Sequence, residues 1–203
     1  VEIKSGPGTR VSEDGLKLYS TIDGLPSLNA LGVVSVSKEL FIQGDVGFET
    51  GHIDFPGHVI VSGAVKEGFK VSCVDLTANE ILGGLIELRG DLNVSTGITD
   101  ATVRVLGKIQ AKFIYNSKVS AFDDVIVIRE ILGSEVLSGG MLVNAPGRVM
   151  SSFVAAKKGM SLGQVGTEIS RSSTLKAGVD DYLASLLLLF DEKLNHLEGQ
   201  PTK

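Results

Sequence analysis

Tryptophan is absent from this 203-residue chain, cysteine occurs once, at Cys73, and histidine only at His52, His58 and His196. A single cysteine closes no internal disulfide, which excludes a stapled secreted scaffold. Aromatic residues make up 5% of the chain, too few to line a sugar-stacking groove. No apolar run approaches the ~18 residues of a membrane span; the longest candidate, Leu186 to Phe190, falls far short, so no membrane insertion is expected. The net charge of −5 argues against nucleic acid as a partner, because phosphate binding needs clustered Lys and Arg. There is no basic-plus-apolar leader, and the chain opens on Val1 rather than methionine. It therefore reads as a piece of a longer protein.

What is plentiful is glycine, at 25 residues, about 12% against a usual ~7%. A hydrophobic share of 43% supports a real core rather than a disordered tail. The aliphatic residues recur. From Val119, they fall at offsets 6, 8 and 12 (Val125, Val127, Ile131). Ile86 leads in the same way to Leu92, Val94 and Ile98, and Ile53 to Val59, Val61 and Val65. The pattern recurs with slips of one residue from Val71, Val103 and Val154, and in part from Val36, Val136 and Ile169. These nine anchors lie roughly 17 residues apart. Alternate residues share one face of a strand. A unit this short cannot bury its own apolar face, but stacked on its neighbours it can.

The pattern predicts an all-β parallel β-helix of about nine turns of ~17 residues over 33–178. A β segment or cap over 1–32 precedes it, and a helix over 179–203 follows. Gly57, Gly90, Gly107 and Gly140 mark one corner, read here as a bend needing positive φ. Beside it, Asp91, Lys108 and Asp124 read as a solvated corner of alternating charge, where Lys108 disfavours a metal ladder. After Gly178, Asp180 and Asp181 offer an N-cap. Leu183, Leu187, Phe190, Leu194 and Leu197 then form a heptad seam, and Gly199 and Pro201 end it. The helix either folds onto the last turn as a cap or begins a coiled coil that joins chains.

No catalytic, cofactor-binding or metal-ligating residue is assigned. His52 and His58 flank Ile53-Asp-Phe-Pro-Gly57, and Asp54 is the only local third ligand, but opposite strand faces and the proline work against convergence. Cys73 reads as a small buried hydrophobe. Gly6-Pro-Gly8 lacks the lysine and following helix of a phosphate loop, and no Gly-x-Ser-x-Gly elbow occurs. Tyr115-Asn116-Ser117 and Asn144 read as turn and stacking residues. Asp123 and Asp124, adjacent on a strand, point to opposite sides.

Gly44-Asp-Val46, Thr50-Gly-His-Ile-Asp-Phe-Pro-Gly57 and Val59-Ile-Val-Ser-Gly63 resemble the signature of the flagellar assembly protein A family. So do Gly68-Phe-Lys-Val71, Ile109-Gln-Ala-Lys-Phe-Ile-Tyr-Asn-Ser-Lys-Val119 and Glu130-Ile-Leu-Gly-Ser134. Ser12-Glu-Asp-Gly15 and Asp23-Gly24 are similar to the stretch before the repeat in that family. The sequence departs from the family's Ile-x-Gly-Gly turn at Val149-Met-Ser-Ser152. The resemblance implies a right-handed coil, a further domain upstream, a C-terminal coiled-coil tail, and a bacterial cytoplasmic protein tied to flagellar or polar assembly. It carries no catalytic residues.

The expected function is a non-enzymatic scaffold binding protein partners, with a homo-oligomer through the C-terminal helix as one form of it. Two alternatives stay open. One is a β-helix enzyme: a polysaccharide lyase or hydrolase, or an acyltransferase. The other is a self-polymerising cytoskeletal rod with stacked ends. Thermal melts followed by circular dichroism check the inward and outward assignment. Val125→Asp is expected to unfold the rod, because an unpaired buried charge is costly, whereas replacing Asp124 is expected to do little.

Overall fold

The computed structural model describes residues 4–198. Seven of the predicted anchors, from Ile53 to Val154, sit in strands, because alternating aliphatic and polar residues bury one face of an extended backbone. Each turn of chain contributes one short strand to an eight-stranded parallel sheet. That sheet runs from Ile53–Asp54 through Lys70–Cys73, Leu85–Leu88, Thr102–Val105, Lys118–Ala121, Glu135–Ser138 and Phe153–Ala156 to Thr174–Ala177. The chain then crosses to a second parallel sheet of longer strands, such as Ile109–Tyr115, Val125–Leu132 and Met141–Met150. Most of these longer strands break register in mid-course, as between Ala111 and Phe113, which bends the strand and adds a wall.

Registers place Ile53, Val71, Ile86, Val103, Val119, Val136 and Val154 directly above one another. The chain is thus a parallel β-solenoid. Facing columns are filled by Val59, Leu76, Leu92, Ile109, Val125 and Leu142 and by Val65, Ile81, Ile98, Ile114, Ile131 and Val149, all essentially inaccessible to water. Burying each such side chain contributes about 1.5–3 kcal/mol.

Two predicted anchors do not stack. Val36 lies in Val33–Ser37, antiparallel to Leu25–Leu28 and outside the coil. Ile169 is 98% exposed, and Leu175 takes its place above Val154. The loop before Leu175 spans 166–173, against only 151–152 at the same place one turn earlier, and spacing alone could not count it. With Val36 and Ile169 removed and Leu175 added, the coil has eight turns rather than nine, a rod of about 40 Å.

The corner glycines have a different cause from the one expected. Gly90, Gly107 and Gly140 do not have positive φ. A Cβ on each would stand 2.1–2.2 Å from the Oδ1 of Asp75, Asp91 or Asp124 on the preceding turn. Each of these oxygens accepts the backbone N–H just after the glycine, at Asp91, Lys108 and Met141, at 2.8 Å. The Asp column therefore clamps one turn to the next, and Asp124 is not the dispensable solvated residue expected. A second corner carries a serine ladder. Ser117, Ser134, Ser152 and Ser173 each accept an N–H from the turn below, at 3.1–3.2 Å. Ser117, Ser134 and Ser152 also donate to the carbonyl two residues back.

The N-terminal residues form a three-stranded sheet (Lys4–Ser5, Val33–Ser37, Leu25–Leu28) and a hairpin of Thr9–Val11 with Leu18–Ser20. The first strand paired into the coil is Glu39–Ile42. Helix α1, Asp181–Glu198, follows the last turn, and Asp180 Oδ1 accepts the Leu183 N–H at its start. Gly199 and Pro201 lie outside the described residues.

Three substitutions test this packing by urea unfolding. Ile131→Ala is expected to cost about 2–5 kcal/mol through the cavity left in a dry column. Gly107→Ala is expected to cost about 1–3 kcal/mol by overpacking against Asp91. Asp124→Ala, which strips the Met141 N–H of its acceptor, is expected to cost about 1–3 kcal/mol; an unchanged midpoint for Asp124→Ala would refute the clamp.

Candidate functional site

The outer column of the short-strand sheet reads Ser72, Glu87, Arg104, Ser120, Leu137 and Ala155 along successive turns. It turns apolar at Leu137, where α1 docks. Tyr182, Leu137 and Ala155 are buried together, with Phe153 and Leu186 packed against them. Tyr182 also meets Phe122 edge-on, with ring centroids 5.9 Å apart. Burial, followed by the charge of Asp180, pushes the Tyr182 hydroxyl above its ordinary range. The start of the helix is tied down by Lys157–Asp180 at 2.8 Å and Lys176–Asp181 at 3.0 Å. Asp180 is held below the usual carboxylate range by the Lys157 hydrogen bond first, then by the Leu183 N–H.

This docking decides how the helix divides its faces. It lies along the flank of the coil rather than across its end, so it is not the end cap that the sequence left open. Leu183, Leu187 and Phe190, three members of the expected seam, are 47%, 57% and 53% exposed. The side chains of Leu194, His196 and Leu197 lie outside the described residues. Below the helix runs a groove of about 380 Å³, walled by Tyr182, Leu186 and Leu189 and floored by Arg104 and Ser120. On this face Glu87 bridges Lys70 at 2.6 Å and Arg104 at 3.3 Å.

A second, polar groove of about 350 Å³ follows the clamp corner, lined by His58, Asp75, Thr77, Asp91, Lys108 and Gln110. Here acids and a base do share a face, as a polysaccharide enzyme requires. Asp75 and Asp91, however, each commit one oxygen to the backbone of the next turn. His58 Nε2 is bonded to Thr77 Oγ1 at 3.0 Å, and among the described residues no Phe or Tyr ring lines the groove.

The remaining candidates do not converge. His52 Nδ1 accepts the Lys70 N–H at 3.1 Å, apart from the His58–Thr77 pair. Among the described residues, no group of three or more His, Cys, Asp or Glu side chains is placed to hold a metal ion. Cys73 is buried in a core column, as expected, and its thiol donates to the Asp75 carbonyl. Burial, then the Asp75 charge, pushes that thiol up to about 12, leaving little thiolate to react. Asp123 and Asp124 act separately: Asp124 clamps Met141, whereas the Asp123 carbonyl accepts the Ser138 hydroxyl.

Asn144 is not a turn residue. It is fully buried in the column beside Val127 and donates to the Val127 carbonyl at 2.8 Å, and its Oδ1 has no partner among the described residues. A further cluster went unread in the sequence. The Tyr115 hydroxyl donates to Glu130 Oε2 at 2.8 Å, and Arg148 pairs with the other Glu130 oxygen. Glu130 is thereby held below its usual range, by Tyr115 first and Arg148 second. Its signal was the recurrence of Glu130 and Arg148 at one register position, hidden by the mid-strand slip.

A family described as the Flagellar Assembly Protein A beta solenoid domain matches residues 38–203. No curated protein and no solved structure matches the chain. No helix among the described residues is long and apolar enough to cross a membrane.

The lowered Asp180 carboxyl gives a pH prediction. A group whose pKa is depressed on folding stabilises the fold above its unfolded value, near 3.8, and loses that contribution as pH falls through the folded value. Acidification from about pH 5 to well below 3.8 is therefore expected to loosen α1. The Tyr182 near-ultraviolet circular dichroism signal reads this, and Asp180→Asn is expected to remove that step.

Proposed function

This chain belongs to the flagellar assembly protein A β-solenoid family, and on that premise we propose that it is a non-enzymatic scaffold for flagellar assembly in the bacterial cytoplasm. The observation that carries the reading is the division of α1 into two faces. One face, through Tyr182 and Leu186, is spent on the coil. The other holds Leu183, Leu187 and Phe190 out to solvent at spacings of 4 and 3, the periodicity with which one helix packs on another. The seam accepts an amphipathic helix of a partner protein, a second copy of this chain included.

The walls favour docking over chemistry. Flat parallel sheets present repeating side chains at fixed spacing, the kind of surface solenoids use to hold partners. The groove beneath α1 joins an apolar wall to a charged floor, which suits a peptide side chain and supplies no activated nucleophile. The carboxylates of the polar corner serve the backbone, which argues against the lyase or hydrolase reading. The polymerising rod is weakened because Val46, Ile42 and Phe55 are buried at the first turn.

Leu187→Glu tests the seam. Leu187 faces away from the coil, so stability is expected to change by no more than about 0.5 kcal/mol. Capture of a helix-bearing partner in flagellated cells, or of a second copy, is expected to be lost. Binding that survives Leu187→Glu with α1 intact by circular dichroism would place the docking surface elsewhere.

A further inference from the structure

The two ends of the coil are finished differently. At the first turn, Val46, Ile42 and Phe55 are all buried, Val46 completely. Among the described residues Phe55 is the only aromatic side chain buried in the main core cluster, and it packs into the core at that end beside the half-buried Leu40 and Ile53. The edge strands there are short, Glu39–Ile42 and Ile53–Asp54, and each carries an acid. Short, charged edges resist further pairing.

The last turn keeps only one of these devices, the short charged strand Thr174–Ala177. Gly159–Val165 and Thr174–Ala177 each pair on one side only among the described residues. Gly159–Val165 is seven residues long, with no charge and no proline. The only charge on Thr174–Ala177, Lys176, is engaged with Asp181. Val165 and Leu175 end two core columns and are 45% and 41% exposed, whereas Val149 and Val154, one turn earlier, are fully buried. Ile169 stands almost fully exposed on the loop between these strands. Helix α1 does not cover this end, because it runs back over the strands Glu135–Ser138 and Phe153–Ala156.

We propose that the last turn is a two-fold self-association surface, on which a second copy of this chain pairs edge to edge and closes the apolar columns of both. The end is suited to its own copy. Its two edge strands carry a single charge, Lys176, which is paired with Asp181, so laying them against their own copies brings little repulsion. Its loop carries Glu168 and Arg171, of opposite sign, neither in an ion pair with a described residue. A two-fold axis can set each against its opposite across the interface. Because the first turn buries Phe55 and presents short, charged edges, the contact closes as an isologous dimer and does not propagate into a filament. This surface is separate from the α1 seam, and neither depends on the other.

Light scattering and small-angle X-ray scattering of the whole chain test the proposal. The expected mass is twice the 21.4 kDa of one chain, with a maximum dimension close to twice that of the monomer. Val165→Lys is expected to raise the dimer dissociation constant at least about tenfold without altering the circular dichroism spectrum. Glu168→Arg and Arg171→Glu are each expected to weaken the dimer, and the double reversal to restore it. A monomer at every concentration overturns the proposal while leaving the partner-helix reading standing. So does a compact side-by-side dimer that survives Val165→Lys and is lost on Leu187→Glu; that result places self-association on the seam alone. If Val165→Lys fails to fold, the elongated or compact shape of the unaltered protein decides.

Discussion

Parallel register is the constraint on which the coil depends. Each turn lays its strand directly on the one before, so Ile86, Val103, Val119 and Val136 meet their own kind above and below. That stack does two jobs at once. It satisfies the backbone along the rod axis, and it fills the interior with aliphatic side chains too close for water. A unit of about 17 residues has no core of its own; burial exists only between turns. Stability is therefore shared between neighbours, and an exposed apolar end is an unsatisfied interface rather than a finished surface.

The corners hold the register that the columns need. Aliphatic contacts are non-directional and tolerate sliding, whereas hydrogen bonds do not. The Asp75, Asp91 and Asp124 clamps and the Ser117–Ser134–Ser152–Ser173 ladder between them tie each turn from Val71 onward to the next at fixed points. The glycines follow from this: a carboxylate reaching the backbone of the adjacent turn leaves no room for a Cβ at Gly90, Gly107 or Gly140. The same geometry draws the carboxylates most open to a catalytic reading into structural bonds, so the polar corner resembles an active-site groove while serving the frame.

With the walls flat and the corner acids committed, what remains for function lies on α1 and at the last turn. The helix spends one face on Leu137 and Ala155 and keeps the other open. The coil buries Phe55 at its first turn and leaves Val165 and Leu175 half exposed at its last. Both open surfaces are apolar, which fits the proposed role of holding other chains.

The solenoid was legible in the sequence because strand alternation and the repeat report directly on burial: seven anchors stack as spaced, and Cys73 lies inside. The spacing failed where chain length between turns varied. Val36 and Ile169 matched the pattern and missed the column, since a loop's extra residues leave the local alternation intact. The candidate surfaces were less legible. The heptad seam could be read from Leu183, Leu187 and Phe190, but not which face of α1 the coil would claim. The Tyr115–Glu130–Arg148 cluster, the burial of Asn144 and the cause of the corner glycines were likewise hidden. Composition and period by themselves determined a stacked β coil with a helical tail. Only the tertiary structure decided which residues meet across turns, where the helix lies and which end is closed, because those outcomes depend on contacts between segments that no local pattern records.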